Sequence, residues 1–336
     1  MRIALDAMGG DLAPAAPVEG AVRALGAFPD VELVLVGLPD RIEEELARHG
    51  GTDRERLTVR AGDHVAAMGE DPVKAVRTHP GNTARIGAEL LREGEVSGVV
   101  SMGSTGAAVA AAQLYCGRLE GVKRPGIAAP FPRADGITLV VDAGANPEVR
   151  PEHLYQFAVM ASLYASSALD VAVPRIGILS IGEERHKGTS LVHQTWDLFE
   201  ERGLGNFVGN VEPGDLFRDV ADVVVSDGFT GNVALKTAEG MAEFLLGEVP
   251  PILPPEIDAQ AFVTRLASRV DYAEYGGAPL LGIRGAYLIG HGRSNARAVL
   301  NAIRAVRACI RHHVGEQIVA ALASVKAAFY SPGNDG

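Results

Sequence analysis

The chain has 336 residues, of which 40 are Gly and 19 are Pro, and hydrophobic residues make up 47% of it. This composition is typical of a globular protein with a large core, and it excludes collagen-like, coiled-coil and disordered chains. Acidic residues outnumber basic ones by 42 to 31, which gives a net charge of −11 and disfavours a nucleic-acid-binding surface.

The two cysteines, Cys116 and Cys309, are far apart in the sequence and indicate neither a disulfide framework nor a paired-thiol metal site. Asp6 interrupts the first apolar run too early for a signal peptide. Apolar runs also fall short of the roughly 18 residues that cross a bilayer. We therefore expect a cytoplasmic protein, with transient membrane association at most.

Short apolar runs alternate with helical patterns along the chain. Strands are predicted at 3–5, 31–36, 57–59, 98–101, 137–141, 176–179, 223–226 and 287–290. Helices are predicted between them, among others at 41–49, 84–93, 153–169 and 296–313. Most of these strands are continuously apolar, as strands buried on both faces are. The alternation therefore predicts an α/β protein with a large, doubly wound, mostly parallel sheet.

Two proline pairs, at 250–251 and 254–255, interrupt the second half of the chain. Proline cannot continue a helix, so a hinge is predicted here, followed by a projecting helix over 256–270. We interpret residues 241–272 as a proline-broken helical excursion from a single large α/β domain that spans 1–336.

Four predicted strands end in loops of small residues that lead directly into helices. In an open α/β sheet the carboxyl ends of the strands form the ligand crevice, and the free N–H groups of a helix N-terminus bind anions. One such loop is ordinary turn chemistry, whereas four together predict a site for phosphate or another anion. The loop residues are Asp6, Gly9, Gly10 and Asp11; Ser101, Ser104, Thr105 and Gly106; Asp142 and Asn146; and Asp227, Thr230, Gly231 and Asn232.

Two further residues, Lys187 and His291, are candidates for charge or proton transfer. Lys187 lies in the charged loop 182–188, for which a phosphate contact and a solvated turn are equally open. Lys236 lies on a predicted helix, where a surface position is favoured. His291 follows the last predicted strand and is a candidate general acid or oxyanion donor, with a capping role as the alternative.

Several other chemistries are excluded or unsupported by the sequence. Gly-Lys does not occur, so a P-loop is excluded, and no G-x-S-x-G nucleophile elbow is present. Cysteine clusters and His pairs at ligand spacing are also absent from the sequence, so no metal site is predicted.

Six segments of the chain resemble those of the bacterial phosphate acyltransferase (PlsX) family. In family order they are IALDAMGGD at 3–11, the loop 101–106, DAGAN at 142–146, IGEE…KG at 181–188, SDGFTGNVALKTAEG at 226–240 and EYGGAPLLG at 274–282. The chain departs from the family pattern at 78–83, at 103–105 and at Ser180. The resemblance implies a fold related to the phosphotransacetylases and isocitrate dehydrogenases.

The resemblance also implies the reaction. Members of the family are homodimers that transfer a fatty acyl group from acyl-acyl-carrier protein to inorganic phosphate, and the acyl phosphate feeds phospholipid synthesis. No cofactor is expected. Two alternatives stay open: a phosphotransacetylase that uses acetyl-CoA, and a non-catalytic scaffold for carrier protein or membrane. A dehydrogenase is compatible with the fold alone.

For this chemistry we assign catalytic roles to Lys187, His291, Asp227 and Asn232. The remaining residues of the four loops are assigned to phosphate and substrate binding. Attack on a thioester creates an oxyanion, which backbone N–H groups and neutral donors stabilise best. The aspartates of the loops are expected to orient donors and cap helices, because two anions in contact repel.

The carrier protein is acidic, and so is this chain, so docking needs a concentrated basic patch. Five arginines recur at helical spacing in a stripe about 80° wide, on a different face from an apolar stripe. We predict that they dock the carrier protein, with a solvated helix face as the alternative. The stripe consists of Arg293, Arg297, Arg304, Arg307 and Arg311. Residues 239–264 contain no Lys or Arg, so membrane contact is expected to be weak and independent of anionic lipid.

Overall fold

The computed structural model describes residues 1–50, 52–67, 69–254, 256–270 and 275–330. The strands are β1 (Arg2–Asp6), β2 (Glu32–Gly37), β3 (Leu57–Ala61), β4 (Gly98–Ser101), β5 (Gly126–Arg133), β6 (Gly136–Val141), β7 (Ile176–Leu179), β8 (Phe207–Val211), β9 (Val223–Val225), β10 (Ala278–Leu281) and β11 (Ala286–Ile289). The helices are α1 (Ala15–Ala27), α2 (Pro39–Ala47), α3 (Pro72–Thr78), α4 (Thr83–Arg92), α5 (Thr105–Ala111), α6 (Pro151–Ala168), α7 (Ser190–Glu201), α8 (Gly228–Glu248), α9 (Ala259–Val270), α10 (Ala296–Arg311) and α11 (Val314–Tyr330).

The eleven strands in the described part of the chain form one sheet, in the order β3-β2-β1-β4-β11-β10-β5-β6-β9-β7-β8. Its two ends, β3 to β11 and β6 to β8, are parallel within themselves. Strands β10 and β5 join them through antiparallel pairs. The predicted α/β fold with a large, mostly parallel sheet is confirmed.

The antiparallel strands bring the carboxyl ends of the two parallel halves together. Three antiparallel pairs separate β11 from β6, so the two halves run in opposite directions. Ile289, at the end of β11, pairs with Ala278 at the start of β10. Val141, at the end of β6, pairs with Ala128 near the start of β5, which in turn pairs with β10. The halves are therefore staggered, and the loops that leave both of them meet near the middle of the sheet.

Successive residues of the central strands are buried on opposite faces, which explains why these strands are continuously apolar. In β1, Ile3 and Leu5 belong to the core formed with α1, α2 and α10, whereas Ala4 belongs to the core formed with α4 and α5. Val224 of β9 joins the same core as Ala4. A third core lies between the other half of the sheet and helices α6, α7 and α11.

Helix α8 is buried far less than the other long helices that follow a strand. Of its 21 residues, Gly228 and Gly231 are buried, while Phe229, Met241 and Phe244 are exposed. It runs through the predicted start of the excursion and ends at Glu248, before the proline-rich turn. The predicted helix over 256–270 occurs as α9, and residues 271–272 of the excursion lie outside the described residues. Within the described residues, no helix combines the length and the apolar character needed to cross a membrane.

Candidate active site

The loops after β1, β4 and β11 pack closely together, with their backbone atoms in contact. A Cβ atom on Gly9 would lie 2.5 Å from the backbone nitrogen of Gly103. Gly10 has a φ of +91°, in the region that favours glycine. The N–H of Asp11 donates to the carbonyl of Gly292 at 2.6 Å. The glycines predicted to bind substrate therefore serve first to bring three loops together.

Two polar residues of these loops lie beneath the surface. The Oδ1 atom of Asp6 accepts a hydrogen bond from the N–H of Met8 at 3.1 Å. Burial raises the pKa of Asp6 to about 6, although hydrogen bonds from Met8 and Thr83 lower it. Ser101 is buried beside Tyr287. Asp6 thus orients the β1 loop in this structure.

The helix that follows the β4 loop begins with an ordinary cap. Ser104 is the N-cap of α5, and its Oγ atom accepts from the N–H of Ala107 at 3.5 Å. Thr105 is the first residue of this helix, so its N–H group has no partner within the helix. Gly106 follows it, at a position where a Cβ atom would lie 3.1 Å from Pro72. The β4 loop therefore presents a helix N-terminus, which favours an anion.

Asp142 holds the loop after β6 in shape. Burial raises the pKa of Asp142, while the hydrogen bonds that it accepts lower it. The N–H of Gly228 donates to the carbonyl of Asn146 at 2.8 Å, which ties this loop to the start of α8. A Cβ atom on Gly231 would lie 2.0 Å from the carbonyl oxygen of Asp142. The carboxylate accepts from the backbone N–H groups of Ile127, Gly144, Ala145 and Asn146 and from the Asn146 side chain, at 2.6–3.1 Å.

Asp227 and Thr230 form the N-terminal cap of α8. Asp227 accepts from the backbone N–H of Thr230 at 2.8 Å and from its hydroxyl at 2.7 Å. Both donors of Thr230 are thus used within the cap. Asp227, to which the sequence assigns a catalytic role, orients the start of α8 in this structure.

A cavity of about 90 Å3 lies where the two groups of loops meet. Thr105 and His291 line it from one side, and Asn232, Lys236 and Glu239 of α8 line it from the other. The volume exceeds what a single water needs and suits one small anion. It combines a helix N-terminus, an ammonium group, an amide and an imidazole, which are all donors suited to phosphate.

A backbone hydrogen bond fixes the tautomer of the His291 imidazole. The N–H of Arg293 donates to Nδ1 of His291 at 3.2 Å, so the neutral ring carries its hydrogen on Nε2. Nε2 lies 3.8 Å from Oε2 of Glu239, and Nζ of Lys236 lies 2.7 Å from the same oxygen. Burial lowers the pKa of His291. The negative charge of Glu239 raises this pKa, and the positive charge of Lys236 lowers it further. His291 is therefore a neutral hydrogen-bond donor near pH 7.

The two candidate lysines differ in their distance from this cavity. Lys236 lines it, with its side chain 56% exposed. Lys187 is not one of the lining residues described, and its loop is held instead by hydrogen bonds from His193 and Asn210 to its carbonyl, at 3.2 and 3.5 Å. The sequence favours the opposite order for the two lysines, because it does not show which face of α8 meets the crevice.

The predicted docking stripe lies on α10 and in the loop before it. Arg293 pairs with Glu243 of α8. Arg307 donates to both oxygens of Asp30, at 2.9 and 3.1 Å, and its side chain is 20% exposed. Arg307 is therefore already paired within the chain. The exposed members of the stripe on α10 are Arg297, Arg304 and Arg311.

One cluster of possible metal ligands lies outside the cavity, at residues for which the sequence predicts no metal. His64, Glu70 and His79 place one ligand atom each within 4.8 Å of the others. However, Asn82 uses its oxygen to cap α4 and its amide nitrogen to contact Nδ1 of His64 at 3.1 Å. The neutral ring of His64 then carries its hydrogen on Nε2, the atom that faces Glu70. This donor pattern does not fit a metal ligand.

Comparisons with known proteins identify the family of this chain. The family model described as "Fatty acid synthesis protein" matches residues 1–317. A phosphate acyltransferase of Desulfitobacterium hafniense is 43% identical over 326 residues, which are 95% of this chain and 96% of that protein. A phosphate acyltransferase of Geotalea uraniireducens is 45% identical over 314 residues, 90% of this chain and 89% of that protein.

Solved structures show the same fold. A phosphotransacetylase from Streptococcus pyogenes matches with a TM-score of 0.59 at 18% identity, and covers 92% of this chain and 94% of its own. A branched-chain phosphotransacylase from Enterococcus faecalis matches with a TM-score of 0.56 at 12% identity, over 93% of this chain and 100% of its own. Fold and relatives together define an acyltransferase of the α/β class. Within that class, the chain belongs to the PlsX family of phosphate acyltransferases, which confirms the resemblance drawn from six motifs.

Proposed function

We propose that this enzyme transfers a fatty acyl group from acyl-acyl-carrier protein to inorganic phosphate, and so supplies acyl phosphate for phospholipid synthesis. The names of its relatives support acyl transfer to phosphate. The observation that carries the site is the small cavity in which Thr105, Asn232, Lys236 and His291 meet. Four residues with donor groups of different kinds, from two halves of the sheet, converge there, and donors of these kinds bind phosphate.

In the proposed reaction, a phosphate oxygen attacks the thioester carbonyl carbon. The carbonyl oxygen becomes an oxyanion, and the C–S bond then breaks to give acyl phosphate and the carrier thiol. Lys236 holds the phosphate as a point charge, together with the N–H of Thr105 at the start of α5. Asn232 and the Nε2–H group of His291 donate to the oxyanion. The thiol has a pKa of about 8.5, so its departure needs no strong acid.

Glu239 is a positioning residue in this proposal. Its carboxylate faces both Lys236 and His291, at 2.7 and 3.8 Å. It holds the ammonium group of Lys236 and faces the Nε2–H group of His291, and all three residues line the cavity. The loop aspartates, the glycines, Ser101 and Ser104 build the frame that holds the donors.

The proposal extends to the state of the protein. We propose that the chain acts as one acyltransferase domain and forms a homodimer, for which the exposed apolar residues of α8 argue. We also propose a cytoplasmic location, which the two free cysteines favour. Membrane contact is proposed to be weak, because residues 239–264 carry no basic side chain.

The test is a product assay with palmitoyl-acyl-carrier protein and phosphate. Acyl phosphate, trapped with hydroxylamine, and carrier thiol should appear in equal amounts and only when phosphate is present. Lys236→Met should lower kcat/KM for phosphate about 10- to 100-fold, because a hydrogen bond to a charged group is lost. Lys187→Met is the matched control and should stay within about twofold of wild type, since Lys187 does not line the cavity.

Other outcomes assign the alternatives. Activity with acetyl-CoA and none with palmitoyl-acyl-carrier protein would indicate a phosphotransacetylase. Carrier binding without product from any substrate would indicate a scaffold. A larger loss of kcat/KM for phosphate in Lys187→Met than in Lys236→Met would indicate that the phosphate binds at the loop after β7.

A further inference from the structure

We infer that the acyl chain of the substrate lies in the space beneath helix α8, between this helix and the β5–β6 hairpin. The inference rests on the proposed function, since it concerns the chain of the same substrate. A cavity of about 720 Å3 occupies this space, lined on the helix side by Leu235, Ala238 and Ala242. Its size is typical of a ligand-binding cleft.

The space adjoins the proposed reaction cavity. Pro130, Leu235 and Glu239 line both of them. A further cavity of about 770 Å3, which reaches the end of β7, adjoins this space as well. The residues that line both of these larger cavities are Phe131, Phe217, Ala238 and Ala242. A ligand that reacts beside His291 can therefore extend beneath α8.

The walls of this space suit a hydrocarbon chain. Phe131 and Phe217 form one wall, with their ring centroids 5.8 Å apart. The other wall is α8, where Ala238 and Ala242 lie four residues apart and therefore on one face of the helix. Methyl side chains leave room there that leucine would fill. Burial of an acyl chain between such walls is favourable for every methylene removed from water.

The charged side chains that line the space are paired with groups of opposite charge. Arg293 pairs with Glu243, and both line the space. Arg133, which also lines it, pairs with Asp222 at 2.8 Å. An uncharged acyl chain in this space therefore does not bury an unpaired charge of Arg293, Glu243 or Arg133.

The length of the space matches a membrane acyl chain. Lys236 lines the reaction cavity and Leu246 lines the far part of the space, ten residues further along α8. At 1.5 Å per residue this interval is about 15 Å. One leaflet of a bilayer has a hydrocarbon thickness of about 15 Å, half of the 30 Å core. The space therefore fits a long acyl chain and exceeds the needs of an acetyl group.

The experiment places a bulky side chain at two depths. Ala238→Trp should lower kcat/KM for palmitoyl-acyl-carrier protein about 100-fold or more, because excluding four methylenes at about fourfold each amounts to about 250-fold. Its kcat/KM for butyryl-acyl-carrier protein should stay within about twofold of wild type. Ala242→Trp blocks the space about 6 Å further along the helix and should accept longer chains than Ala238→Trp does.

Gly240→Trp is the matched control, because it adds the same side chain to the same helix where no atom lies within 4 Å. It should leave the preference for chain length unchanged. Unfolding temperatures of the three variants, measured alongside, show whether each is folded. The inference is overturned by an unchanged chain-length profile in folded Ala238→Trp, or by equal losses on both substrates in both alanine variants. Dissociation of a dimer by Ala238→Trp with an unchanged profile would assign the space to a second copy of the chain.

A binding measurement separates this inference from the proposed function. Wild-type protein should bind cis-parinaric acid, a fluorescent fatty acid with 18 carbons, and Ala238→Trp should bind it at least about tenfold more weakly, whether or not acyl phosphate forms. Binding that is lost in Ala238→Trp, in a protein that makes no acyl phosphate, would support the chain site and overturn the proposed reaction. Equal binding by both proteins would overturn the chain site alone.

Discussion

At the scale of single residues, Asp6 carries a prediction about pH. Burial raises its pKa from 3.8 to about 6, so the folded protein holds a proton there that the unfolded chain releases. Where the folded state binds more protons, stability falls as pH rises, here between about pH 4 and 6. The shift corresponds to about 3 kcal/mol.

Asp6→Asn should remove this pH dependence. The free energy of unfolding of the variant, taken relative to wild type, should therefore rise by about 3 kcal/mol from pH 4 to pH 7. Urea unfolding at several pH values measures the difference, and subtraction of the wild-type curve cancels the other titrating groups. A difference that stays constant with pH would show that Asp6 titrates normally.

The residues of the site were predictable as a set more than in their separate roles. Small residues and Asp at strand ends indicate a crevice, and the structure brings these loops together. Sequence does not tell a donor that faces a ligand from one that is used internally, as the hydroxyl of Thr230 is used by Asp227. Nor does it show that Lys236 and Glu239, one turn apart, face the cavity. These distinctions depend on how α8 is oriented, which only tertiary packing sets.

At the scale of elements, eight predicted strands occur and three others were not predicted, namely β5, β8 and β10. Pro130 and Pro132 argue against a strand at β5, since proline cannot donate to a ladder. In the structure β10 pairs with β5 at Gly126 and Ile127, and beyond them β5 pairs with β6 alone. The prolines thus lie where one edge of β5 has no neighbouring strand. In β8, Gly209 at a φ of +96° lies beside a register shift, which breaks the apolar pattern.

The second half of the sheet carries a buried ionic contact between its elements. Asp222, before β9, accepts from Arg133 at the end of β5 at 2.8 Å and from Arg175 before β7 at 3.0 Å. Burial raises the pKa of Asp222, but the hydrogen bonds from Arg175 and Arg133 outweigh it and hold the pKa at about 2. A lowered pKa stabilises the fold above about pH 4, and this stabilisation is lost as pH falls toward 2.

Asp222→Ala should lower the free energy of unfolding by about 3–5 kcal/mol at pH 7, because it leaves the buried guanidinium of Arg133 without this partner. The difference from wild type should shrink by about 2 kcal/mol between pH 4 and pH 2. Asp219→Ala is the control: it pairs with the same two arginines, but its side chain is 74% exposed. Asp219→Ala should lower the free energy of unfolding by less than about 1 kcal/mol. Equal costs for the two variants would contradict the importance of burial.

At the scale of the whole molecule, the net charge of −11 opposes the approach of an acidic carrier protein. Charges a few Debye lengths apart are screened by salt, so the repulsion is strongest at low ionic strength. Local basic groups near the site can reverse it and steer the encounter. The exposed arginines of α10 lie 6, 13 and 20 residues after His291 in the chain. Arg307 contributes least, because it is paired with Asp30.

The docking hypothesis therefore predicts different effects for two pairs of substitutions that change the net charge equally. Arg304→Glu with Arg311→Glu and Arg41→Glu with Arg92→Glu both take the net charge from −11 to −15, because each substitution changes it by −2. All four arginines are exposed, and the second pair lies on α2 and α4, away from α10. The first pair should lower kcat/KM for palmitoyl-acyl-carrier protein about tenfold at low salt, through slower association, and less at high salt. The second pair should change kcat/KM for palmitoyl-acyl-carrier protein by less than about threefold. A short pantetheine thioester should react equally well with the two double variants. Equal losses in the two pairs would mean that net charge alone acts and that the arginine stripe is a solvated helix face.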